Sequence, residues 1–232
     1  MENTEIFLDK RLKTIAEFAK KGCTFADIGT DHGFLPAYLV LCGIAKGGFA
    51  CDINEMPLDK ARNLIIGEKL TEKIHCILCD GVPNELEGKI DTVIIAGMGG
   101  ETIIHILENA KWLNDEKMHF IFQPMTKIKE LRRYLLENGF EIEKEKGAVS
   151  GKFAYSVLSC YFTGNKKTMP EEYYYVGECI KESDPDSKAY IQRVLRKLSS
   201  VENGMTKAKS TSPDLEKVQC LIEKIKAMEG RG

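Results

Sequence analysis

Long apolar runs are missing from this 232-residue sequence: nothing approaches the ~18 consecutive apolar residues of a membrane helix, so no membrane role is expected. An excess of charge of either sign is missing too. With 33 Lys and Arg against 35 Asp and Glu, attraction of nucleic acid by bulk charge is excluded, whereas a local basic patch is not. The opening MENTEIFLDKRLK lacks an apolar core of the secretory kind, and a cytoplasmic protein is expected. Cys76-Ile-Leu-Cys79 has no second Cys-x-x-Cys and no suitably spaced His pair to complete a zinc site, so no metal is expected. The eight cysteines lie mostly inside apolar runs, where reduced thiols pack as small hydrophobes, which argues against a disulfide framework.

What is present divides near Gly164. Residues 1–164 alternate short β-branched or apolar runs with helical patterns, the signature of βαβ units. Five successive strands are expected at Cys23–Ile28, Phe49–Ile53, His75–Leu78, Thr92–Ala96 and His119–Gln123. Helical spacing fills Leu35–Leu41, Pro57–Leu70, Glu101–Ala110 and Thr126–Asn138, with Gly43 and Gly139 as stops. Glu141–Lys146 and Tyr155–Phe162 have no helix-length insert between them, so a hairpin closes a seven-stranded α/β sheet with its last strand antiparallel. Before the first strand, Leu8, Leu12, Ile15, Ala16 and Ala19 share one face of a leading helix.

Residues 165–232 follow a different rhythm. Ile191, Val194, Leu198, Val201 and Met205 are spaced 3, 4, 3, 4, and Leu215, Val218, Ile222 and Ile225 are spaced 3, 4, 3, which predicts an α-helical coiled-coil hairpin with a basic connection carrying Lys207 and Lys209. A monomer or weak dimer is expected.

The first strand runs into Asp27-Ile-Gly-Thr-Asp-His-Gly33. Gly29 and Gly33 allow close backbone approach, but the Gly-x-Gly-x-x-Gly spacing of a dinucleotide turn is absent. Asp27 and Asp31 would repel a pyrophosphate and attract an ammonium and a sulfonium, so the loop favours S-adenosylmethionine over NAD. The second strand ends at Asp52-Ile53, where an acid takes ribose hydroxyls, and the third at Asp80-Gly81, where a carboxylate can accept from an exocyclic amine. Each aspartate alone could be a helix cap; three at consecutive strand ends point to a cofactor site. Gly97-Met98-Gly99-Gly100 after the fourth strand predicts a tight turn or close passage of a ligand past backbone N–H groups.

Taken together, Leu8-Asp-Lys-Arg-Leu12, Ala26-Asp-Ile-Gly-Thr-Asp-His-Gly-Phe-Leu-Pro36, Cys79-Asp-Gly81 and Ile95-Ala-Gly-Met-Gly-Gly100 resemble the bacterial tRNA (adenine(22)-N(1))-methyltransferase family. The resemblance implies a Rossmann-like class I methyltransferase domain over 1–164, a tRNA-contacting arm over 165–232, and methylation of N1 of adenine 22 in tRNA. It also implies that Asp27, Gly29, Asp31 and Gly33 hold the methionine part of the cofactor, Asp52 and Ile53 the ribose, and Asp80, Gly81 and Gly97 the remainder. Asp31 and Arg11 become the catalytic candidates, with Arg11, Met98, Gly99, Gly100, Lys207 and Lys209 facing the substrate. Where the family carries Gln-Pro-Asn after the fifth strand, this chain has Gln123-Pro124-Met125.

Rival readings are a methyltransferase of a small molecule or protein, and a non-catalytic RNA-binding protein. A helical arm is of little use to a small substrate, and four site aspartates are costly to keep without a cationic or hydroxyl-bearing partner. His32 is expected to cap or bond backbone rather than act as a base, since adenine N1 attacks with a neutral lone pair. Trp112 and Tyr173-Tyr-Tyr175 could stack on bases or close a core. Lys166, Lys167, Lys188, Arg193, Arg196 and Lys197 could follow a phosphate backbone or form a solvated face.

Overall fold

Seven strands form one sheet in the order β3-β2-β1-β4-β5-β7-β6. A computed structural model describes residues 6–208 and 213–229. The strands are β1 (Cys23–Ile28), β2 (Ala45–Asp52), β3 (Ile74–Leu78), β4 (Thr92–Gly99), β5 (His119–Thr126), β6 (Phe140–Ser150) and β7 (Phe153–Phe162). The first five are parallel, and β7 inserts between β5 and β6, antiparallel to both. The chain order reverses between β1 and β4, so a crevice opens there at the carboxyl ends of the strands.

Helices α1 (Lys10–Phe18), α2 (Phe34–Leu41), α3 (Glu55–Gly67), α4 (Gly100–Asn109) and α5 (Ile128–Glu137) cover the two faces. Strand side chains alternate between them: Phe25, Ile94 and Ile121 pack toward Leu8, Ile15 and Leu39, whereas Val93, Ile95 and Phe122 pack toward Ile103, Leu107 and Leu131. Asp9 caps α1, its carboxylate accepting from Leu12 N at 2.8 Å, and a Ser150 hydroxyl bond of 2.8 Å ties that cap to the end of β6. Helix α1 is thereby fixed across β5–β7 with Arg11 at the strand ends.

Two elements differ from their expected bounds because of glycine. β2 begins four residues before Phe49, since Gly47 and Gly48 lie in the strand, where a Cβ on Gly48 would stand 2.3 Å from Phe25 O. The glycine run after Ala96 is not a turn: β4 continues to Gly99, and Gly97, at φ +76°, bulges the strand so that its register on β5 shifts.

Beyond β7 come α6 (Glu171–Val176), a 3-10 turn at Gly177–Lys181, and the long helices α7 (Pro185–Lys207) and α8 (Pro213–Glu229). The last two run antiparallel, with Gln192 bonded to Glu229 and Gln219 to Glu202. Ile191, Leu198, Ile222 and Ile225 are buried in their seam, which also rests on Val149 and Ala154 of the sheet hairpin. Val201 departs from the predicted seam and is 43% exposed. A straight helix drifts ~20° per heptad from a 3.5-residue repeat, which turns position 201 outward and brings Leu195 in. Tyr173 and Tyr174 close the core, and Tyr175 is half-buried. Lys209 lies outside the described residues. Among the described residues no helix is long and apolar enough to cross a membrane.

Gly100, which opens α4, is buried, and a Cβ there would sit 2.3 Å from Lys127 O. Gly100→Ala is therefore expected to lose about 1–3 kcal/mol in urea denaturation, as overpacked sites do. Gly67→Ala, which meets nothing within 4 Å, is the control and should not lose stability.

Candidate active site

The carboxyl end of β1 bends sharply over three residues of positive φ: Gly29 (+75°), Asp31 (+54°) and Gly33 (+73°). Aspartate tolerates that region better than most side chains, which explains how the middle position is not glycine. Cys51 O on β2 accepts from Gly29 N at 2.8 Å and Thr30 N at 3.0 Å, so the loop is pinned to the neighbouring strand. A Cβ on Gly33 would meet that of Ala61 at 2.9 Å, and one on Gly29 would meet Met98 Cε at 2.4 Å. These glycines leave the loop pressed between α3 and the bulge of β4.

Asp52, at the end of β2, joins the two strand ends. Its Oδ2 accepts from Asp31 N at 3.3 Å and its Oδ1 from Asn54 N at 2.9 Å. Asn54 Nδ2 lies 3.5 Å from the same Oδ1, and since a carboxylate has about four acceptor positions, one on Oδ2 remains for a ribose hydroxyl. Asp27 is buried beneath the loop. Burial pushes its carboxyl up to about 7 and the nearby charge of Asp52 adds to the shift, while the Thr30 side chain beside it and the charge of Arg11 oppose it. The Thr30 Oγ1 is buried beside that carboxyl and forms no hydrogen bond of good geometry among the described residues.

Opposite this loop stands Gln123, at the end of β5 and fully buried. Its Oε1 accepts from Arg11 Nη1 at 2.6 Å and from Gly97 N at 3.2 Å, while its Nε2 donates to Pro124 O at 3.1 Å. One amide thus holds both the guanidinium and the bulge. The sequence carries no role for Thr30, and for Gln123 only one signal, a polar side chain closing the apolar run Phe120–Phe122, which demands buried partners.

Arg11, Asp27, Gly29, Asp31, His32 and Gly97 line one cleft of about 310 Å³. Of the remaining predicted residues, Asp52 braces its wall. Asp80 and Ile53 are exposed at the adjoining strand ends, outside the cleft lining, with Gly81 half-buried beside Ile106. Met98 packs over Gly29, Gly99 caps α4, and Gly100 is buried against backbone with no surface to offer a substrate. Lys207, in the last turn of α7, is exposed, about three helical turns from Arg196. His32 neither caps α2 nor bonds backbone: its Nδ1 meets Asp31 Oδ2 at 2.9 Å, its Nε2 meets Lys60 Nζ at 3.2 Å, and its ring stacks on Phe34. Gly33, at the N-cap, leaves no side chain to fill that role.

The donor set suits a small cation with a flat, hydroxyl-bearing body. Carboxylates face the cleft where an ammonium or sulfonium needs them, the buried Thr30 hydroxyl can turn to a ligand, and the Gly29 loop and the Gly97 bulge admit close contact.

Residues 8–158 match the model of the family described as "Methyltransferase domain". A curated tRNA (adenine(22)-N(1))-methyltransferase of Bacillus subtilis (strain 168) is 36% identical over 141 residues, a stretch that spans 61% of this chain and 59% of that protein. The crystal structure of the B. subtilis m1A22 tRNA methyltransferase TrmK superposes with a TM-score of 0.82 at 27% identity, over 97% of this chain and 100% of that one. The M. capricolum TrmK structure, in complex with the cofactor product S-adenosyl-homocysteine, gives 0.79 at 27% identity, over 96% and 98%.

Proposed function

This chain belongs to the methyltransferase-domain family, and on that premise we propose that it is a tRNA (adenine(22)-N(1))-methyltransferase, which methylates N1 of adenine 22 in tRNA with S-adenosylmethionine as donor. The observation that carries the proposal is the cleft at the β1–β4 switch point, with carboxylates on one wall and the Arg11–Gln123–Gly97 node on the other. Its reaction belongs in the cytoplasm, where tRNA is found.

S-adenosylmethionine supplies a methyl carbon on a sulfonium, whose positive charge passes to the adenine ring as N1 takes the methyl group. Asp27, the Thr30 hydroxyl and the backbone at Gly29 and Gly33 would hold the methionine part, Asp52 and Ile53 the ribose, and Asp80 and Gly81 the adenine. No base need take a proton from N1, so the protein's work is positioning and charge stabilisation. Asp31 is exposed at the mouth of the cleft and stabilises the cationic ring that forms. Arg11, fixed by Gln123, and Met98–Gly99 guide the target nucleotide, and Lys207 and Lys209 meet phosphates.

Incubation of the protein with labelled donor and unmodified tRNA, followed by nucleoside analysis, should yield labelled 1-methyladenosine. Binding of the donor with no such product would overturn the assignment. Asp31→Asn keeps the loop's shape but removes the charge, and is expected to lower kcat about tenfold, a modest loss because the side chain is solvated, with a smaller loss of donor affinity from the carboxylate that it takes from the cleft.

A further inference from the structure

A second cleft, of about 370 Å³, lies where the β5–α5 connection faces α7 and α8. Its near edge is Pro124-Met125, so it begins at the residue that follows Gln123, the node of the first cleft. Four cations line it, Lys127, Lys129, Arg193 and Lys197, against the single acid Glu130. The ring of Tyr175 stands in its wall, with Lys129 Nζ 4.9 Å from the centroid, and Arg193 lies 5.8 Å from the Tyr155 ring. Met125 and Val201 remain 38% and 43% exposed there, two apolar groups lining one cleft with the charges. Lys197 makes no ion pair among the described residues and Lys127 only long ones of 3.5 and 3.8 Å to Glu101 and Glu130, whereas Lys129 is paired with Glu171 at 2.9 Å and Arg193 Nη1 donates to Ala154 O, so a phosphate would share those two with their present partners.

We propose that this second cleft receives the nucleotide of the RNA substrate next to the target adenine, its base against Tyr175, Met125 and Val201 and its phosphate among Lys129, Arg193 and Lys197. An apolar platform ringed by cations is what a base with its phosphate requires. A second copy of the chain fits less well, because a cleft of this size seats one planar group and not the ~800 Å² per partner of a stable dimer. The proposal rests on the tRNA reading above, and names how that substrate is held beside its reacting base.

The test uses the full chain and an unmodified tRNA transcript, with transcript affinity by filter binding, KM and kcat by methyl transfer, and donor affinity by calorimetry. Val201→Trp, which fills the cleft from an exposed position, and Tyr175→Leu are expected to weaken transcript affinity and raise KM about tenfold, the loss of one stacked base, with donor affinity unchanged. Tyr175→Phe should retain wild-type values. Lys197→Ala should lower the slope of log affinity against log salt by about one. Unchanged transcript affinity and salt slope in these variants would overturn the proposal, as would a shifted monomer–dimer balance in Val201→Trp with RNA binding intact. Because filter binding needs no methyl transfer, a wild type that binds donor and RNA but makes no 1-methyladenosine sinks the activity without deciding the cleft, which the variants' affinities still decide.

Discussion

Affinity for S-adenosylmethionine is expected to climb about tenfold per pH unit from about pH 5 to 7 and to level off above. The reason is Asp27, whose carboxyl is pushed up to about 7 chiefly by burial. A cationic ligand binds the ionised form, so below pH 7 each binding event must expel one proton, which costs about 1.4 kcal/mol per unit. The same shift sets the stability of the ligand-free protein with the opposite sign. A carboxyl whose folded pKa exceeds its unfolded value of 3.8 contributes stability that is fully present below about 4 and lost as pH rises through about 7. The unliganded protein should therefore lose melting temperature across that window, and saturating donor should flatten the trend. Asp27→Asn keeps the shape and removes both effects. At pH 8 it should bind donor about 10–100-fold more weakly, the worth of hydrogen bonds to a charged group, whereas at pH 5.5 the two proteins should nearly coincide. Calorimetry at four pH values decides it: a flat wild-type profile, or equal affinity of the variant at pH 8, removes Asp27 from the donor site.

The parts of this fold that were legible in the sequence are those where one physical demand acts alone. Central parallel strands are buried on both faces, so Val93–Ile95 reads as an unbroken apolar run and Cys23–Ile28 is apolar but for Thr24 and Asp27, and an acid in or at the end of such a strand stands out because nothing in a core needs it. Asp27 and Asp52 were found in that way. Legibility ended where two demands met in one residue. Gly47, Gly48 and Gly97 signal chain-breaking by composition, yet they sit inside strands because crowding backbone or a bulge excludes a Cβ. Gln123 looked like ordinary strand-end polarity, since its partners Arg11 and Gly97 are 112 and 26 residues away. Short α6 carries too few turns to show a period, and its anchoring charges come from α5 and β6.

Those anchoring charges make Arg132 the position where substitution should cost most stability. Both Arg132 and Glu145 are fully buried, with Arg132 Nη2 2.5 Å and Nε 3.1 Å from Glu145 Oε1. Burial alone would lower the arginine's pKa, and the Glu145 charge outweighs it, so the guanidinium stays charged. It also donates to Tyr174 O at 2.8 Å and Tyr190 Oη at 3.0 Å, while Glu145 accepts from Ser156 Oγ and from Glu178 N at 2.9 Å. One ion pair therefore fastens α5, β6, β7, α6 and α7 together. Arg132→Met fills the volume but leaves a buried carboxylate unpaired, and is expected to lose about 3–5 kcal/mol, or roughly 10 °C in melting temperature. Adding Glu145→Gln to that variant should recover part of the loss, since the uncompensated charge is gone. The consequence for function follows from where the network sits. It holds α7 against the β6–β7 hairpin, on the opposite side of the sheet centre from β1 and β2, so loosening it should weaken tRNA binding more than donor binding at temperatures where the sheet remains folded. Equal melting temperatures would show that the pair contributes nothing net, and a parallel fall in both affinities would show that the helical pair and the donor cleft unfold as one unit.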